Sequence, residues 1–238
     1  MIISYKHNLI FLKPRKVAGT SFEIALSKFL GATDVITPIT PSDETIRKEL
    51  GFLGKQNYLY PFSQLNLKQK ARAVLKLRLP EKYFNHMSAK QCRTRVGEST
   101  WRDLRKLSIV RCPWDAALSR FYWANGKDAE LAGFTNYFLE NPQFLSANRA
   151  QYLIDGECCV DIALRFEHFR EDIGLLENES PSLRGLWEVF SNLRAKGGFR
   201  PDSSKDIADV YKQHPRVDAL IRQLNEFEIS QYGYSMDL

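Results

Sequence analysis

The chain has 238 residues, 44% hydrophobic and 12% aromatic, with 34 Lys and Arg against 28 Asp and Glu and a formal charge of +6. That length buries a substantial core without metals or disulfides and fits a single domain over 1–238; the composition excludes a disordered tail and a collagen-like repeat, and no run nears the ~20 apolar residues of a membrane span. The first residues lack a secretory signal, and Cys92, Cys112, Cys158 and Cys159 show neither zinc spacing nor C-x-x-C, so reduced thiols, no metal and a cytoplasmic location are expected.

Leu9, Ile10, Phe11 and Leu12 form an apolar run of the length expected of a buried strand. A polar loop follows from Lys13 to Gly19. Phe22, Ala25, Leu26, Phe29 and Leu30 then recur at helical spacing, with Thr20 and Ser21 available to cap the start and Gly31 to end it. Residues 37–61 read as surface loops and short helices, and Ser88 with Gln91 makes a capping box just after His86. Leu107, Ile109 and Val110 read as a second strand, Arg111 and Cys112 as a turn, and Pro113 as the first residue of a helix carrying Ala117, Leu118, Phe121 and Tyr122.

Beyond residue 125 the pattern is mostly helical, with one strand-like run at 162–166. Leu183, Leu186, Trp187, Phe190 and Leu193 trace an amphipathic helix that Gly197 and Gly198 should end, and Val217, Leu220, Ile221, Leu224 and Phe227 trace another. Strands separated by helices predict an α/β fold: a central parallel sheet flanked by helices in a three-layer sandwich, with ligands at the carboxyl ends of the strands. The expected core covers about 8–30 and 105–170, with a helical part over 180–238.

Charge is unevenly spread. Residues 68–111 carry 13 cationic and 3 acidic groups, whereas 112–238 is net acidic. Such a block is a solvated face, a nucleic-acid footprint, or the wall of a polyanion pocket.

The segment Lys13-Pro-Arg-Lys-Val-Ala-Gly-Thr-Ser21 has the parts of an anion cradle: amides and a positive dipole at a helix start, three cations, a glycine and two hydroxyls. It lacks the Walker A order, which excludes a P-loop kinase motif; the competing reading is a basic surface loop with a capped helix. In the second unit, Arg111 offers a planar fork for phosphate and Ser119 lies two helical turns on, although Arg111 could equally pair with Asp115.

Both segments resemble one family. The first is similar to the 5′-phosphosulfate loop, and Ile109–Tyr122 to the 3′-phosphate motif, of sulfotransferases that use 3′-phosphoadenosine 5′-phosphosulfate (PAPS), in the family of heparan sulfate 2-O-sulfotransferases and soluble bacterial relatives. The resemblance runs from about residue 8 to 234 and implies a P-loop-like fold and a PAPS donor that leaves as adenosine 3′,5′-bisphosphate. It places Lys13, Arg15, Lys16, Ala18, Gly19, Thr20 and Ser21 at the 5′ end of the nucleotide and Arg111 and Ser119 at the 3′-phosphate. Lys196 and Arg200, in a late basic loop, are candidates for further 3′-phosphate contacts. His86, ahead of the Ser88-capped helix, matches the family's catalytic base, with His168 as the alternative, and Lys16 would balance charge on the transferring group.

The function this implies is sulfuryl transfer to a hydroxyl of a carbohydrate or other acceptor, without nucleic acid or a membrane span. The alternative from a different class is a nucleic-acid-binding protein using the basic 68–111 region, where Lys68, Lys70, Arg72, Lys76 and Arg78 recur on an expected helix.

Overall fold

The computed structural model describes residues 1–193 and 206–236. Its first half comprises β1 (Ile2–Ser4), β2 (Leu9–Leu12), α1 (Gly19–Ser27), β3 (Val35–Ile36), α2 (Pro41–Glu49), α3 (Leu67–Leu75), α4 (Ala89–Val96), α5 (Glu98–Asp103) and β4 (Arg105–Val110). The second half adds α6 (Pro113–Asn125), α7 (Phe134–Glu140), α8 (Arg149–Tyr152), β5 (Leu153–Ile154), β6 (Glu157–Cys158), β7 (Ile162–Arg165), α9 (Phe169–Glu179) and α10 (Leu186–Ser191). After the undescribed segment come α11 (Ile207–Gln213), α12 (Pro215–Leu224) and α13 (Glu226–Tyr232). Among the described residues no helix is long and apolar enough to cross a membrane.

Five strands form one sheet in the order β3-β1-β2-β4-β7. The centre is parallel: β2 pairs with β4 from Leu9 opposite Arg105, and β4 with β7 from Leu107 opposite Ile162. The edge is antiparallel, because β1 returns along β2 through a short turn and β3 pairs with β1. The sheet is therefore mixed, not purely parallel as the sequence pattern predicts. β1 and β3 hold three and two residues, too few for a periodic signal.

Strand alternation sends side chains into different cores. Leu9, Phe11, Leu107, Ile109 and Leu164 pack with Phe22 and Leu26 of α1 and Phe169 and Ile173 of α9. Ile10 and Leu12 pack with Met87, Cys92 and Trp101 beside α4 and α5, while Val110 joins the cluster built by α6, α7, α11 and α12. Helices thus cover both faces, which suits parallel strands lacking a solvated side.

Three local expectations are corrected. Neither Thr20 nor Ser21 caps α1; its N-cap is Ala18 in the left-handed region (φ 54°, ψ 19°), with no side-chain cap. The apolar pattern over 183–193 is not one helix: a 3-10 turn at Pro181–Leu183 ends before Gly185, whose φ of 91° starts α10 afresh. The pattern from Val217 to Phe227 is likewise split, because α12 stops at Leu224 and Asn225 turns the chain into α13. The Ser88–Gln91 capping box and Pro113 at the head of α6 are as the sequence suggests.

One charged residue sits inside the first unit. Glu23 on α1 is fully buried and accepts 2.6 Å from Lys13 Nζ and 2.7 Å from the Met1 amino group. Burial opposes its charge, but the amino group and the Lys13 ammonium outweigh it and hold the carboxyl down at about 2.

Candidate functional site

The loop between β2 and α1 is held in an uncommon backbone shape. Lys16 and Ala18 have φ of 60° and 54°, a conformation that costs a side-chain-bearing residue on the order of 1–2 kcal/mol. Val17 between them has negative φ, so the sign alternates along the loop, as in the anion-binding concavities made by successive amides. The loop runs directly into the uncapped start of α1, where the amides of Gly19, Thr20 and Ser21 lack intrahelical partners and carry the positive end of the dipole. A Cβ on Gly19 would stand 3.0 Å from Lys13 Cγ and 3.5 Å from the Pro14 carbonyl, so the helix start is packed against its own loop.

Two distant side chains fasten this loop. Asn148 accepts from the Arg15 amide at 2.8 Å and donates to the Arg15 carbonyl at 2.9 Å, pinning one residue from both sides. Arg111, at the end of β4, donates through Nη1 to the Lys16 carbonyl. The other edge of its guanidinium engages Asp115, with Nε 2.6 Å and Nη2 2.5 Å from Oδ2, and its plane lies 4.0 Å from the centre of the Phe166 ring. The two strand-to-helix turns singled out in the sequence are thereby in contact.

They differ at their helix starts. The Cys112 amide at the head of α6 donates 2.7 Å to the Glu167 carboxylate, so the protein supplies its own anion there. Of these two helix starts, that of α1 has no carboxylate or hydroxyl cap among the described residues.

His86 sits beside the first loop. Its own φ is 58°, and Gln151 Nε2 donates 3.1 Å to its carbonyl. His86 Nδ1 lies 3.0 Å from the Lys13 carbonyl. A carbonyl can only accept, so Nδ1 carries the proton and Nε2 keeps its lone pair. Burial, then the Lys13 and Arg15 charges, push the imidazole down to about 4, so it is neutral over the physiological range. Two buried acceptors flank it in the sequence or through that hydrogen bond: Asn85 Oδ1 and Gln151 Oε1 have no donor among the described residues.

No protein-family model, curated protein or solved structure matches this chain. Its chemistry must be read from the geometry.

The candidate residues divide accordingly. Arg15, Lys16, Ala18, Gly19, Thr20, Ser21, Arg111 and His86 gather around one loop. Lys13 belongs to the loop through its carbonyl, but its side chain is 2% exposed and committed to Glu23. Its charge supports the fold beneath the loop and does not face outward. Ser119 is half-buried on α6, and His168 is exposed at the N-cap of α9. Lys196 and Arg200 lie outside the described residues.

Sequence reading missed Asn148, Gln151, Trp123 and Arg120. Lys16 Nζ stands 5.4 Å from the centre of the Trp123 ring, and the Arg120 guanidinium 5.2 Å from the same ring and 4.1 Å from that of Phe144. Cation–aromatic contacts of this kind tie α6 to the loop. Arg120 directly follows Ser119, the one signal that could have marked it. Among the described residues no group of three or more His, Cys, Asp or Glu is placed to hold a metal ion. A concavity of about 460 Å³ lies elsewhere, between α3 and Pro80–Glu81.

Proposed function

We propose that this chain is a sulfotransferase of P-loop-like fold that moves the sulfuryl group of PAPS to a hydroxyl of a carbohydrate or other acceptor. The observation that carries the reading is the contact between the two turns, in which Arg111 holds the Lys16 carbonyl and so brings an uncapped helix start and a guanidinium to one place. A nucleotide bearing phosphate at both its 3′ and 5′ positions is a ligand that needs two such anion sites at fixed separation.

In this reading the amides from Lys16 to Ser21 receive the 5′-phosphate, and Lys16 supplies a point charge near the transferring group. Arg111 receives the 3′-phosphate, whose oxygens then replace those of Asp115 on the guanidinium. Ser119 can add a hydroxyl from the following helix.

His86 Nε2 takes the proton of the acceptor hydroxyl as its oxygen bonds to sulfur and the sulfur–oxygen bond to the 5′-phosphate breaks. The products are a sulfate ester and adenosine 3′,5′-bisphosphate. The base is neutral before the reaction, and an incoming polyanion raises its proton affinity toward that of an effective general base.

The nucleic-acid alternative loses much of its charge to internal pairing. Within 68–111, Arg78 pairs with Glu81, Lys90 with Asp155, Arg93 with Glu98, Arg105 with Glu179 and Lys106 with Asp161. Arg102 and Arg111 pair with Asp103 and Asp115; of the rest, Lys68, Lys70 and Arg72 lie on α3 and Lys76 at its end, with Lys82 and Arg95 elsewhere.

Thermal unfolding with adenosine 3′,5′-bisphosphate, ATP, NAD and AMP tests the reading. A ligand at a hundredfold excess over its Kd stabilises the folded chain by about 2.7 kcal/mol. Selective stabilisation by the bisphosphate is expected; equal shifts with AMP, or none, refute the donor class.

A further inference from the structure

The helix α3 presents an apolar surface in an unusual direction. Leu67, Ala71, Val74 and Leu75 fall at i, i+4, i+7 and i+8, one stripe along the helix, yet Leu67 and Leu75 are each 85% exposed. The residue that faces the protein is Ala73, 8% exposed, on the other side of the helix. The apolar stripe therefore points away from the body of the molecule. Lys70 flanks it on one side and Lys68 and Arg72 on the other.

The end of the helix adds to this surface at a conformational cost. Arg78 N donates to Ala73 O at 3.1 Å and Leu77 N to Val74 O at 3.2 Å, the hydrogen-bond pattern of a helix stop that usually employs glycine. Here Leu77 fills the left-handed position at φ 48°, and its side chain is 93% exposed. Of the described non-glycine residues with positive φ, three are Asn or Asp, which tolerate it, and three belong to the candidate site; Leu77 is the remaining one. Phe62, just before the helix, is also exposed and lies under Lys70 Nζ at 5.6 Å.

We propose that residues 62–78 form a docking surface for an anionic phospholipid bilayer, with α3 lying in the membrane plane. An outward apolar stripe bordered by long cationic side chains matches an interfacial helix: the aliphatic groups enter the acyl boundary while Lys and Arg reach the headgroups. Charge selects this occupant. Residues 62–78 contain five cations, Lys68, Lys70, Arg72, Lys76 and Arg78, and no acidic residue; Arg78 pairs with Glu81, which leaves four to meet an anionic surface. A second copy of the chain would bring like charges together around its leucines, and a nucleic-acid backbone would use the cations but leave Leu67, Leu75 and Leu77 in water. An anionic leaflet satisfies both features at once.

Vesicle sedimentation tests this without any nucleotide, so its result stands apart from the transferase reading. The full chain is mixed with vesicles of phosphatidylcholine alone or of phosphatidylcholine and phosphatidylserine in equal parts. Three variants accompany it: Leu67→Ser with Leu75→Ser and Leu77→Ser; Lys68→Gln with Lys70→Gln and Arg72→Gln; and Leu77→Gly alone, which also relieves the backbone.

The wild-type chain is expected to sediment with the phosphatidylserine vesicles only, and less so as salt rises. Loss of three cations should weaken partitioning on the order of a hundredfold, since each contributes about fivefold near an anionic leaflet. The triple serine variant should bind at least ~10-fold more weakly, because aliphatic burial supplies part of the affinity. Leu77→Gly should bind detectably more weakly than wild type while unfolding at the same temperature or higher. The proposal is overturned if the wild-type chain ignores phosphatidylserine vesicles, whether or not it binds RNA, or if the serine variant binds as tightly as wild type.

Discussion

Arg111 donates a hydrogen bond from the end of β4 to the main-chain carbonyl of Lys16, so a guanidinium from one strand-to-helix turn fixes the backbone of the other. Lys16 is held there with positive φ, and Asp115 anchors the opposite edge of the same guanidinium. A planar fork can do this because its donors point along several fixed directions; a lysine ammonium in its place could not serve both partners in the same geometry.

Arg111→Lys should therefore behave nearly as badly as Arg111→Ala. Loss of a charge-assisted hydrogen bond costs about 1.5–3 kcal/mol, so affinity for adenosine 3′,5′-bisphosphate should fall about 10- to 100-fold in calorimetry. Wild-type affinity in the lysine variant would show that the fork is not used.

Asn148→Ala removes both clamps on Arg15 while leaving the loop's cations in place. The expected loss is several-fold in bisphosphate affinity, with a global unfolding temperature close to wild type because Asn148 bonds are exposed. A large fall in unfolding temperature would assign Asn148 to the fold and not to the loop.

Glu23→Gln should cost about 3–5 kcal/mol of stability, because Lys13 is left buried without its partner. The pH dependence follows from a carboxyl lowered from 4.5 to about 2. A depressed carboxyl contributes fully above its ordinary value, and that contribution is lost as pH falls from about 4.5 toward 2. Denaturant titrations of wild type and Glu23→Gln across that window should converge at its acid end; parallel curves would contradict the buried pair.

His86 has the same sign for a different reason. Its folded value lies below its ordinary one, so the unfolded chain binds more protons between about 4 and 6.5, and stability from this group falls as pH drops through that range. Nuclear magnetic resonance of the imidazole should show a midpoint near 4 in the free protein and a higher one with bisphosphate bound. A free-protein midpoint at the ordinary 6.5 would contradict the burial that sets it.

Much of this was legible in the sequence, and what was not has physical causes. The runs Leu9–Leu12 and Leu107–Val110 announced the two central units because each short apolar run is followed by a stripe of helical period. The Arg111–Asp115 pair was legible because its partners lie four residues apart, whereas the bond to Lys16 joins residues far apart in the chain. Asn148 and Gln151 were invisible for the same reason: single amides whose partners, Arg15 and His86, lie on other segments. Glu23 did leave a trace, as a charge between Phe22 and Ile24 on an apolar helix. The break at Gly185 was masked because the apolar spacing continues across it.

The central claim is that one nucleotide spans both turns. A crystal structure with adenosine 3′,5′-bisphosphate measures this directly. The expected result is the 5′-phosphate on the amides between Lys16 and Ser21 and the 3′-phosphate on Arg111, with Asp115 displaced from the guanidinium. A nucleotide bound away from this loop, or Arg111 still paired with Asp115 and the 3′-phosphate in solvent, would contradict it.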